Sequence, residues 1–169
     1  MASLGHVMVG VAAWRVAHQR LGAGPPGWAG PAGWAALSLL PDLDVLAFRF
    51  GIPYGAPFGH RGATHSLAFA ALLGLAVLAW TRRWPVAALA AAVVASHPLL
   101  DMLTDGGLGV ALWWPASPRR VFFPWTPLPV APIGAGMLSP RGLLVVAVEL
   151  VAFAPLVWAA FRLTRSRPS

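Results

Sequence analysis

The chain of 169 residues contains no cysteine, no lysine and only five acidic residues, and charged residues make up 10% of it. Without cysteine there are no disulfides, no thiol nucleophile and no thiolate metal site, so any bound metal must use His, Asp or Glu. A soluble domain usually carries about 25% charge. At 58% hydrophobic residues and a mean hydropathy of +0.70, this chain has too few charges to hold a globule in water. Its net charge of +7 comes from twelve arginines. They sit mostly between apolar runs, where positive charge sets membrane topology, so no nucleic-acid partner is expected. The first apolar stretch holds His6, Arg15, His18 and Arg20 and has no A-x-A exit, so it does not read as a cleaved signal. The length suits one domain, residues 1–169, with the lipid bilayer as its main partner.

What is present is a succession of apolar runs broken by Gly and Pro. They predict an all-α polytopic membrane bundle of about five helices: Leu4 to Arg20, Trp28 to Leu40, Thr64 to Trp80, Pro85 to Leu103 and Arg141 to Phe161. A bilayer core needs ~20 apolar residues per straight helix, a length that the third and fifth fit best. GAGPPG, Gly22 to Gly27, breaks the first helix, and Thr64 is a candidate N-cap for the third. Pro98 predicts a break or kink before His97. A Pro- and Trp-rich loop, Gly106 to Pro140, joins the fourth and fifth helices, with Trp113, Trp114 and Trp125 suited to a membrane–water interface.

Eight of the ten acids and histidines fall in four clusters: His6; Asp42 and Asp44; His60 and His65; and His97, Asp101 and Asp105. Each cluster alone has an ordinary structural reading. The Pro41–Asp42 pair could end a helix and Asp44 cap the next turn, and His60 could be interfacial. Threaded up and down through five helices, however, all four clusters meet near one membrane face. Ionisable groups in a bilayer are expensive and face a partner or a cavity. His97, Asp101 and Asp105, four apart, would share one helical face.

Imidazole and carboxylate suit zinc, manganese or iron, and a site without cysteine favours catalysis over a closed structural zinc. The expected ligands are His6, Asp42, His60, His65, His97 and Asp101, enough for one or two divalent ions, with zinc the first choice. Asp44 or Asp105 would act as general base. Arg61 and Arg141, with Arg119 and Arg120 on the same side, would hold an anionic phosphoester or phospholipid. The reaction expected is hydrolysis by metal-activated water. The rival is a non-enzymatic membrane protein, a metal-ion transporter or a scaffold with a structural metal site.

GHVMVG, LLPDLD, GHRGATHS and SHPLLDMLTDGG followed by WWP together resemble the YdjM family, over about Gly5 to Pro115. That resemblance implies a bacterial or archaeal inner-membrane protein of a group described as membrane-bound metal-dependent hydrolases. The likeness is more remote to zinc-dependent phospholipase C and the fungal zinc nucleases, whose H-x-x-x-D step corresponds to His97 and Asp101. Those soluble enzymes add a later His-x-x-x-Glu, whereas no histidine follows His97 here. Glu149, deep in the fifth helix, is expected either to function or to pair with an arginine such as Arg15. The arginines near helix ends predict a cytoplasmic carboxyl terminus and a site near the outer face.

Overall fold

Ala, Leu and Val fill each apolar run, the first run ends at Gly22, and the hydroxyls of Ser66 and Ser139 cap the starts of the helices that follow them. In the computed structural model, which describes residues 3–23 and 27–164, the helices are α1 (Ser3–Leu21), α2 (Ala29–Leu39), α3 (Leu67–Thr81), α4 (Trp84–Asp101) and α5 (Pro140–Leu163). Two isolated bridges, Thr104 with Leu128 and Val110 with Val121, are the nearest approach to strand structure among the described residues. Gly22 and Gly27 flank the first break with left-handed backbone; Gly24, Pro25 and Pro26 lie outside the described residues.

Four local expectations are corrected. Ser66, not Thr64, caps α3, its hydroxyl accepting from the Phe69 N–H. Ala63–His65 forms a separate 3-10 turn, which leaves α3 at 15 residues. Among the described residues, α4 and α5 are then the two helices long and apolar enough to cross a membrane. Helix α4 also continues through Pro98 to Asp101, so of the expected break or kink before His97 the break does not occur. It stops there, so Asp105 leaves the face that His97 and Asp101 share.

Small residues bring the helices together. A side chain at Gly10 would strike the backbone of Trp34 and Ala35 in α2, and one at Gly74 would strike Ala91 in α4. Between α1, α2 and α4 lies a core of Ala13, Ala17, Trp34, Val86, Ala90 and Val93. Helix α5 packs along α1 and leaves most of its surface outward.

Arginines tie the end of the bundle remote from the clusters. Arg83 donates to the carbonyls of Leu21 and Gly22, and Arg20 to that of Leu163. These carbonyls close α1 and α5, where helix dipoles favour cations. Arg15 donates to Thr164 (3.0 Å) rather than pairing with Glu149. Exposed Trp28, Trp80 and Trp84 belong to this end and Trp113 and Trp125 to the other, the two-sided placement of tryptophan seen at membrane interfaces.

Candidate metal centre

Leu40–Phe50, directly after α2, winds as a 3-10 helix. At three residues per turn, side chains i and i+3 eclipse. Pro41, Asp44 and Ala47 therefore share the inward side, Asp42 and Val45 a cavity side, and Leu43 and Leu46 the outward side. Asp42 and Asp44, two apart, consequently do different things.

Asp42 meets His65 from the turn before α3, and His97 and Asp101 from the last turn of α4. Asp42 Oδ1 lies 3.3 Å from His97 Nε2 and 3.6 Å from His65 Nε2. Asp101 Oδ2 lies 3.5 Å from His65 Nε2 and 3.8 Å from His97 Nε2. Tetrahedral metal bonds of ~2.1 Å separate neighbouring ligand atoms by roughly 3.4 Å. These four atoms, all within 4.8 Å of one another, are spaced as such a set.

The donor chemistry fits a metal as well. The Nε2 atoms of His65 and His97 are buried without a hydrogen-bond partner. Burying such atoms unpaired is costly, and a metal relieves that cost. Each opposite nitrogen is engaged. His97 Nδ1 donates to the Ser38 carbonyl (2.7 Å), and His65 Nδ1 lies 3.0 Å from Asp44 Oδ2. Donation there keeps Nε2 as the lone-pair atom, the usual orientation device behind a ligating histidine.

Asp44 forms the layer behind. Its Oδ1 accepts from His60 Nδ1 (2.7 Å), while Oδ2 accepts from the Thr64 hydroxyl (2.7 Å) and the Arg61 N–H (3.1 Å). Asp44, His60 and His65 are close enough to hold an ion too, but His60 Nδ1 already donates to Asp44 and His65 Nδ1 lies 3.0 Å from its other oxygen. Burial raises the Asp44 carboxyl, but His60, His65 and Thr64 outweigh it and bring it down to about 2. Burial likewise opposes charge on His65, yet the carboxylates of Asp101, Asp42 and Asp44 push it up to about 10. Burial raises Asp42 too, but His65 and His97 hold it well below the usual carboxylate range.

The other sequence-predicted residues lie around this core. His6 is fully buried and stacks on His97 with ring centroids 3.6 Å apart, and its Nε2 is 3.6 Å from the second oxygen of Asp101. Arg61, in a left-handed backbone conformation, sets its Nε 3.2 Å from Asp101 Oδ2. Its other nitrogens donate to the Gly106 carbonyl and the Thr104 hydroxyl. Asp105 and Arg141 are not drawn into the core. Both are exposed, 3.8 Å from each other, and Asp105 accepts from the Val130 N–H.

Sequence reasoning missed two supports. Ser38, which carries the one hydroxyl in apolar α2, accepts from His97 at its backbone carbonyl and donates its hydroxyl to the His6 carbonyl (2.8 Å). Arg120 donates to the carbonyls of Tyr54, Ala56, His60, Arg61 and Gly109, stitching the Pro- and Trp-rich loop to the histidine turn. The isolated polar residue in α2 was the available signal for Ser38, whereas nothing in the sequence distinguishes Arg120 from Arg119.

A cavity of about 290 Å³ opens beside this centre, with Asp42, His60, Arg61 and Asp101 among its lining residues. The chain matches the family described as YdjM inner membrane protein over residues 1–166. It is 44% identical over 122 residues to inner membrane protein YbcI of Escherichia coli (strain K12), covering 68% of this chain and 70% of that one. No solved structure matches it. The chain therefore belongs to the YdjM family of inner membrane proteins.

Proposed function

We propose that this protein is a multi-pass, metal-dependent hydrolase of the membrane, acting on a phosphoester or lipid-linked substrate. The observation that carries this reading is that Asp42 and Asp101 line an open cavity, so a metal held by them with His65 and His97 behind could take water there as a further ligand. Structural metal sites fill every position with protein, whereas catalytic ones keep a place for water and substrate. A divalent ion such as zinc held by Asp42, His65, His97 and Asp101 would acidify water enough to react near neutral pH.

The protein's own groups have distinct tasks. In hydrolysis the oxygen of water bonds to phosphorus, and the P–O bond to the leaving group breaks with its electrons on that oxygen. The water gives up a proton. His60 lines the cavity and its Nδ1 donates to Asp44, so its other nitrogen is available to take that proton. Asp44, with both oxygens committed, orients His60 and His65 instead of acting as base itself. A divalent ion and Arg61 would together offset the carboxylates of Asp42, Asp44 and Asp101, and Arg61, which lines the cavity, would face an anionic substrate there. Arg141 remains exposed at the rim, beside Val130.

The rival is a metal-holding scaffold or transporter. Among the described residues, Ala, Val and Trp34 pack the core between α1, α2 and α4 beyond the site, which favours the hydrolase over a path for an ion. Assaying purified protein on a panel of phosphodiesters and phosphomonoesters, with metal and with chelator, tests the proposal. Turnover should require metal and disappear in His97→Ala. Absence of metal-dependent turnover across the panel favours the rival.

The orientation proposed places the carboxyl terminus in the cytoplasm and the site near the outer face. Arg20, Arg82, Arg83 and Arg162 lie at the far end; Arg165, Arg167 and the carboxyl terminus itself lie outside the described residues. At the site end Arg49, Arg119 and Arg141 add charge and Arg61 belongs to the site, so this orientation rests on the Arg82–Arg83 turn and the basic carboxyl end of the sequence, close to helix ends where positive charge weighs most. A cytoplasmic signal from a reporter inserted at Arg119 would reverse this orientation.

A further inference from the structure

The cavity at the metal centre has two unlike ends. Asp42, His60, Arg61 and Asp101 line one, and Val130, Ala131, Pro132, Ile133 and Met137 line the other. These last residues come from the loop segment just before α5 and from the short 3-10 helix Gly134–Leu138 within it. The apolar end does not close. Ile133 is 57% exposed and Leu138, beyond Met137, is 83% exposed, so apolar side chains continue outward from the wall as a rim, with the exposed Asp105–Arg141 pair beside Val130 as its polar edge. Across the cavity, the 3-10 segment that supplies Asp42 and Val45 turns Leu43 and Leu46 outward as well. In water such a rim would be an unfavourable patch, whereas beside a bilayer it is continuous with hydrocarbon.

We infer that the site takes an amphiphile: an anionic phosphoester head at Asp42, Asp101 and Arg61, with a hydrocarbon tail along the wall from Val130 to Met137. This rests on the hydrolase reading and narrows it to a substrate class. At about 290 Å³ the cavity is at the small end for organic ligands, room for a head and the first part of a tail. The remainder of the tail lies along the rim. A small phosphodiester from solution would meet the same polar end but gain nothing from the wall. Ile133 and Met137, one on each side of the Gly134 turn, are the specificity-determining contacts.

The test compares p-nitrophenyl phosphodiesters that share one head, their second ester being methyl or n-hexyl. Both are assayed with the zinc-loaded full chain in detergent, corrected for partition into protein-free micelles. Hydrolysis of the hexyl ester should exceed that of the methyl ester by at least about tenfold in kcat/KM, mainly through KM, since burying even part of five methylenes suffices. Ile133→Ser and Met137→Ser, with zinc content retained, should narrow that ratio severalfold. Equal zinc-dependent rates on the two esters would overturn the amphiphile assignment and leave the hydrolase reading standing. If neither ester is cleaved and the wider panel is inert as well, the hydrolase reading fails, and binding of hexylphosphonate against methylphosphonate to the zinc-loaded protein decides the remainder. Preferential hexylphosphonate binding that Ile133→Ser weakens would uphold the two-ended site, and equal or absent binding would overturn it.

Discussion

At the scale of single residues, Asp44 shows how a side chain can shape a site without entering it. Its two oxygens accept from His60, Thr64 and the Arg61 backbone and face His65 Nδ1 at 3.0 Å. Asp44→Asn keeps the shape but loses the charge, and its amide places a donor where donors already point. Metal affinity should fall about 10–100-fold with the fold intact, as for other partners that orient metal-bound histidines, and chelator competition measures it. His65 carries a second prediction. With its pKa raised to about 10, His65 is protonated at neutral pH before metal arrives. Metal must displace that proton, so affinity should rise by up to about tenfold per pH unit towards pH 10. Calorimetry of zinc uptake in buffers of different ionisation enthalpy should register about one proton released from this residue. In the metal-free protein the sign is reversed. The charged His65 stabilises the fold fully below its ordinary pKa near 6.5, and this contribution disappears as pH climbs through about 10.

At the scale of elements, the 3-10 winding of Leu40–Phe50 decides the site. An α-helical continuation would rotate successive residues by ~100° and no longer eclipse Pro41, Asp44 and Ala47. The histidine turn that faces this segment depends on close backbone contacts. A side chain at Gly62 would collide with the carbonyls of Pro57 and Gly59. Gly62→Ala should therefore displace His60 and His65 and cost the protein its metal, which elemental analysis per chain would show. Arg120 holds the same turn from the loop side through five carbonyls. Arg120→Ala should destabilise the folded state by about 2 kcal/mol, read as a lower thermal midpoint. Arg120→Lys should recover less than half, because one ammonium cannot span a set of acceptors arranged for a planar guanidinium.

At the scale of the whole molecule, a fully buried acid links the helix with most exposed surface to the site. Glu149 of α5 accepts from the Gly5 N–H (2.8 Å) at the start of α1, one residue before His6. The open N-terminal amides of a helix favour an anion there. Its partner is thus this helix start, not Arg15. Glu149→Leu would leave a buried donor unpaired at a cost of ~1–3 kcal/mol and loosen α5 from α1. Glu149→Gln should cost less, since its carbonyl oxygen can still accept. Protease sensitivity of the loop before α5, together with unfolding, would separate the two variants. Because His6 stacks on His97, a looser α1 start should also lower metal affinity in the leucine variant.

From the sequence alone came five apolar helices, the breaks at Gly and Pro, and the gathering of His and Asp at one end. Those features follow from hydropathy, from backbone restrictions and from the up-and-down threading that a bilayer imposes. Within the candidate site, His65, His97, Asp42 and Asp101 were legible because polar residues are conspicuous in so apolar a chain. The division of labour among them was not. Asp42 at the ligand set and Asp44 behind it differ only through the 3-10 winding of their segment. Asp105 leaves the cluster because α4 ends at Asp101, and Arg61 turns inward on a left-handed backbone. The path of the Pro- and Trp-rich loop, and with it the apolar wall facing the ligands, was set by long-range hydrogen bonds such as those of Arg120. Contacts between residues some 60 positions apart leave no periodic trace in sequence, so only the assembled fold could decide them.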